Sequence, residues 1–179
     1  MRIFLIGLMG SGKTTIGRRL AARTGWPYLD NDALVQQVAG RTAPEIEDGG
    51  GVAALHEVEL AAFEHALTIA PPVIIGVAGF VVMDPASRAR MREAGTVVWL
   101  RAQPETLRMR VGAGHGRRDD ATSLDWIQDV VEERSPVFDE AADIAIDVDR
   151  LRPRLVVEEI VRRLGIEPDQ AEASATSSS

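Results

Sequence analysis

Gly7, Gly12, Lys13 and Thr14 stand in the spacing G-x-x-x-x-G-K-[ST], inside the stretch GLMGSGKTTIG that runs from Gly7 to Gly17. These residue types at this spacing point to phosphate chemistry. Glycines let a backbone curl until successive N–H groups converge on phosphate oxygens, and a helix starting where the loop ends adds the positive end of its dipole. The expected cradle is Gly10, Ser11, Gly12, Lys13, Thr14 and Thr15. Lys13 is placed to reach the β- and γ-phosphates of a nucleoside triphosphate, and the Thr14 hydroxyl to take a Mg²⁺ position.

A second pair of candidates lies in YLDND, where Asp30 and Asp32 are two residues apart. Alternation along an extended chain puts them on one side, and at the C-terminal end of a parallel sheet they face the γ-phosphate crevice. One carboxylate can order the Mg²⁺ shell and the other can accept a proton from a substrate hydroxyl. The plainer alternative is an Asx turn in which Asp32 caps the next helix. Guanine-reading N/T-K-x-D signatures are absent, and no separate apolar strand ends in a metal-ordering aspartate. The three histidines, His56, His65 and His115, show no metal-ligand spacing, and Trp26, Trp99 and Trp126 read as packing residues.

The elements that position these groups follow from the apolar pattern. Short apolar runs at 2–7, 27–30, 73–79, 96–100 and 143–148 read as buried strands. Helical patterns cover Thr14 to Ala22, Ala33 to Val38, Ala53 to Ile69, Pro85 to Ala94, Pro104 to Val111, Leu124 to Arg134 and Pro153 to Leu164. Gly25, Gly40, Gly95 and Gly165 stand where C-terminal caps belong, and Pro85 and Pro153 fall in first turns. Strand–helix alternation with short connections makes an α/β fold, a mostly parallel sheet covered on both faces. The expectation is one domain over 1–166, followed by an acidic, small-residue tail at 167–179 that is too polar to pack.

Composition narrows the classes. The 179 residues carry a net charge of −7, which argues against an extended nucleic-acid footprint, since that would want a basic face. No cysteine is present, so disulfides, thiolate metal sites and a cysteine nucleophile are excluded. The N-terminal apolar run, Ile3 to Met9, is too short to span a bilayer and has no cleavage pattern behind it. A cytoplasmic protein without nucleic-acid or membrane partners is expected, a monomer rather than an obligate oligomer, acting on a small hydroxyl acceptor.

Taken in order, GLMGSGKTTIGRRLAARTGWPYLDND, AGRTAPEI, VIIGVAGFVVMDPASRARMREAGTVVWLRAQPETL and ERSPVFDEAADIAIDVDRLRP resemble shikimate kinase from residue 1 to about 165. The resemblance implies an ATP-dependent transfer to the shikimate 3-hydroxyl, with Mg²⁺. The fold it implies is a three-layer P-loop kinase fold like that of the nucleoside monophosphate kinases, with five parallel strands in the order 2-3-1-4-5. It also implies a substrate-binding helical region at about 31–70 and a mobile lid at about 112–122. By position it makes Asp32 the holder of the shikimate hydroxyls, Asp30 the residue near the metal and Arg134 a grip on the substrate carboxylate. Arg117 becomes the catalytic lid arginine, and Arg110 and Pro153 flank the adenine. The roles agree with the physics: a glycine-rich segment hinges over a site, and an arginine at its end brings positive charge to the moving phosphoryl group.

Three positions depart from the family pattern. Leu55 and His56 replace a phenylalanine–arginine pair that clamps the carboxylate, and a histidine offers one titratable donor where arginine offers a permanent fork. Ala78, Gly79 and Phe80 replace a glycine triplet at the substrate ring, and only Gly79 is kept. Arg117–Arg118 replaces arginine–proline in the lid. The departures leave two other readings open: a paralogue acting on another cyclitol, sugar or polyol, and a catalytically silent nucleotide-binding regulatory protein.

Overall fold

Ile3, Phe4, Leu5 and Ile6 are all fully buried, so β1 (Arg2–Ile6) carries an apolar layer on each face. Period-two alternation divides them, with Phe4 and Ile6 in one core cluster and Ile3 and Leu5 in the other. A computed structural model describes residues 1–111 and 123–166 of the chain. The expected lid with Arg117 and Arg118, His115, and the expected tail lie outside the described residues.

β1 pairs in parallel with β3 (Val73–Gly76) on one side and with β4 (Thr96–Arg101) on the other. β2 (Tyr28–Leu29) adds outside β3, and β5 (Ile144–Asp147) outside β4. The sheet order is therefore β2-β3-β1-β4-β5, as the family resemblance implies. Helices α1 (Lys13–Thr24) and α8 (Pro153–Leu164) cover the Ile3/Leu5 face, closing a core with Ile16, Leu20, Val156, Val157 and Ile160. The Phe4/Ile6 face is covered by α2 (Asn31–Ala39), α3 (Ala43–Leu67), α4 (Gly79–Met83), α5 (Pro85–Ala94) and α7 (Leu124–Ala141). A short α6 (Pro104–Val111) leads from β4 toward the 112–122 segment.

All four glycines expected to cap helices do so. Three elements differ from the sequence reading by more than two residues. β3 stops at Gly76, and the apolar residues after it turn into α4, which the apolar run concealed. α3 begins ten residues earlier than Ala53, started by Thr42, whose amide and hydroxyl both donate to Glu45 Oε2 (2.7 and 2.8 Å). Within it Gly51 is non-helical at φ 75, ψ 179, so the helix is two segments in series. α7 continues past Arg134 and through Pro136 because Phe138 and Ala141 bury its last turns against the sheet.

β2 is only two residues long, so the extended alternation expected to align Asp30 with Asp32 does not exist. Asp30 is instead the N-cap of α2, its Oδ1 accepting the Asp32 amide at 3.1 Å, and Asp32 sits in the first helical turn. The capping role expected of Asp32 in the alternative reading thus belongs to Asp30. Among the described residues no helix is long and apolar enough to cross a membrane.

Candidate active site

The C-terminal ends of β1, β2 and β3 open onto one cavity of about 780 Å³. On its phosphate side lie Gly10, Gly12, Lys13, Thr14 and Thr15. Gly10 and Gly12 hold φ of 83° and 96°, a region that side-chain-bearing residues rarely enter, and this curls the loop at the start of α1. The first intrahelical bond runs from the Ile16 amide to the Gly12 carbonyl. The helix therefore presents its N-terminal N–H end to the cavity. Lys13 Nζ donates to the carbonyl oxygens of Gly7 (2.7 Å) and Leu8 (3.3 Å), which holds the ammonium over the loop. Ser11 is buried, its hydroxyl oxygen without a partner among the described residues, tucked beneath the loop rather than lining the cavity. Amide donors, a dipole end and one ammonium form the donor set that a polyphosphate requires, so the residues present fit ATP.

Beside the loop, Thr14 Oγ1 donates to Asp30 Oδ2 at 2.8 Å, and Tyr28 Oη donates to the same oxygen at 3.1 Å. A hydroxyl and a carboxylate oxygen at one end of the loop match the hard oxygen ligands of Mg²⁺. Burial, and then the negative charge of Asp30, push the Tyr28 phenol well above its ordinary range, so it remains a protonated donor. Tyr28 was read as a strand residue only, and nothing in its local sequence marks it otherwise.

The opposite end is built by α2, α3, α4 and α7. Asp32, Glu47, Asp48, His56, Gly79, Phe80 and Arg134 all line it. The Arg134 Nη1 lies 3.3 Å from where a Cβ on Gly79 would stand, a close approach of the guanidinium to this glycine. The Arg134 Nε is buried without a hydrogen-bond partner among the described residues. His56 and Phe80 are stacked, ring centroids 3.3 Å apart and planes within 4°. Burial, and next the Arg134 charge, hold the His56 imidazole below its ordinary value, while Glu47 opposes them. Trp126, read as a packing residue, is 41% exposed and lines the cavity beside Ile127 and Val130, whereas Trp99 is core. Trp126 opens α7, and its exposure follows from a position that sequence spacing cannot fix.

Arg110 lines the cavity, its guanidinium donating to the Val148 carbonyl (2.8 Å) and reaching the Gly10 carbonyl (3.4 Å). Pro153 opens α8 and does not line this cavity.

Comparison with known proteins gives these features a common origin. The family model for shikimate kinase matches residues 9–165. The chain belongs to the shikimate kinase family. A shikimate kinase of Symbiobacterium thermophilum is 37% identical over 168 residues, covering 92% of this chain and 96% of the relative. Another, of Paracidovorax citrulli, is 37% identical over 153 residues, covering 84% of each. A crystallised shikimate kinase of Acinetobacter baumannii, in complex with shikimate, superposes with a TM-score of 0.80 at 23% identity, over 91% of this chain and 92% of that one. That likeness bears on the fold alone. Membership of a shikimate kinase family makes the chain an ATP-dependent phosphotransferase.

Proposed function

We propose that this chain transfers the γ-phosphoryl group of ATP to the 3-hydroxyl of shikimate. The observation that carries the reading is that one cavity holds the phosphate loop at one end and Asp32 with Arg134 at the other, in a chain matched to shikimate kinase over residues 9–165. Asp32 takes the proton as the acceptor oxygen forms its bond to phosphorus and the bond to the ADP oxygen breaks. Lys13 balances the charge of the β- and γ-phosphates, Arg134 pairs with the acceptor carboxylate, and Arg110 packs at the adenine end. Thr14 and Asp30 would hold Mg²⁺, which supplies charge neutralisation across the β- and γ-oxygens when bound. Arg117 adds positive charge from the 112–122 segment, and residues 1–166 work as one kinase unit with its acceptor region at 31–70. The acceptor is a small molecule, and the chain acts as a cytoplasmic monomer without nucleic acid.

A coupled ADP-release assay tests this. Shikimate is expected to give turnover that Asp32→Asn and Lys13→Met lower by at least about 10²-fold. Absence of shikimate turnover, with ADP released on a neutral cyclitol or sugar, would transfer the assignment to that acceptor. No turnover on any acceptor, despite nucleotide binding, would leave a silent nucleotide-binding protein.

A further inference from the structure

A glycine in the second turn of a helix costs stability relative to alanine, so Gly17 calls for a reason. A Cβ built there would stand 2.1 to 2.5 Å from three ring atoms of Tyr28. Gly76, the last residue of β3, is excluded from bearing a side chain by the same ring: its Cβ would lie 2.5 Å from the Tyr28 hydroxyl. Two glycines from separate elements thus leave a slot through which one phenol reaches the cavity. The slot ends at Asp30. Its Oδ2 receives the Tyr28 hydroxyl (3.1 Å) and the Thr14 hydroxyl (2.8 Å), and its Oδ1 receives the Asp32 amide (3.1 Å).

We infer that Tyr28 is a positioning residue for the Mg²⁺–nucleotide end of the site: through the slot between Gly17 and Gly76 it fixes Asp30 beside Thr14. Three donors define the orientation of the carboxylate. The amide donor is backbone and the Thr14 hydroxyl is itself a candidate metal ligand, so Tyr28 is the side-chain donor that stays on Asp30 when Thr14 turns to a cation. Partners that orient a ligating carboxylate commonly matter to metal affinity by tenfold or more. The inference rests on the nucleotide reading above and not on the acceptor.

The test is binding of ADP, with Mg²⁺ and with chelator, measured by calorimetry and thermal shift without any acceptor. Tyr28→Phe keeps the ring in its slot and removes only the hydroxyl. The affinity gained from Mg²⁺ is expected to fall about tenfold, with affinity for metal-free ADP and the unliganded Tm nearly unchanged. Gly76→Ala, whose Cβ displaces the hydroxyl, is expected to weaken Mg²⁺–ADP similarly in the native background but to add little on Tyr28→Phe. An undiminished Mg²⁺ gain in Tyr28→Phe, or equal losses from Gly76→Ala in both backgrounds, would make the tyrosine a packing residue and overturn the inference. A native chain that binds no Mg²⁺–ADP would overturn the inference and the proposed function together, an outcome distinct from the first because it appears before any substitution.

Discussion

His56 lies flat on Phe80, ring centroids 3.3 Å apart, within the wall that also holds Arg134. A stacked imidazole meets an acceptor carboxylate only through its ring edge, and burial with the nearby Arg134 charge keeps it largely neutral at pH 7. Among the described residues of this wall, Arg134 is the permanent cation that the proposed function offers to an acceptor carboxylate. Protonating His56 adds a second charge, so the shikimate KM is expected to fall as pH drops below about 6.5 toward 5.5. In His56→Arg with Phe80→Gly it should be lower throughout and flat over that range. Initial-rate KM against pH checks both. The stability sign runs the other way. A histidine with a depressed folded pKa takes up its proton more readily when unfolded, so it subtracts stability as pH falls below its ordinary value near 6.5. His56→Gln should remove that part of the slope in urea melts at pH 7 and pH 5.5. The histidine and its departure from the family were legible in the sequence. The stack was not, because residues 56 and 80 meet only once α3 and α4 pack.

At the scale of elements, α3 is interrupted at Gly51, whose φ 75 and ψ 179 belong to a region open essentially to glycine. The break separates the segment bearing Glu47 and Asp48 from the segment bearing His56, and both still line the cavity. Gly51→Ala meets no atom within 4 Å, so its cost is backbone strain alone. A loss of about 1–3 kcal/mol in denaturant midpoint is expected, with the shikimate KM raised because the two segments must readjust. Helix periodicity placed α5, α6 and α8 at their observed bounds, since each has an amphipathic stripe and proline at its start. It missed α4 and the first half of α3. A short apolar run reads equally as strand, and glycines in series read as loop, until tertiary packing selects one.

For the whole molecule, the sheet is the frame on which the two ends of the cavity are held. Phe138 is 1% exposed and meets Trp99 edge-on, centroids 6.1 Å apart at 85°, which fastens α7 and hence Arg134 to β4. Phe138→Ala is expected to cost about 3–5 kcal/mol in urea unfolding. It should also raise the shikimate KM more than it weakens metal-free ADP binding, since α1, which opens at the phosphate loop, packs in the other core cluster.

The phosphate loop was determined by sequence alone, because it is contiguous: Gly7 to Thr15 contain the turn, the amides, the ammonium and the helix start. The parallel sheet and its strand order were likewise expected from the chain and its family resemblance, and the structure bears them out. The rest of the site, at both ends of the cavity, was decided only by tertiary structure. Asp30 became a helix cap rather than a strand residue, Tyr28 found its slot between Gly17 and Gly76, and His56 met Phe80. Those partners are separated by up to tens of residues, and their contacts come from packing energies summed over whole elements. Local spacing carries no record of that sum.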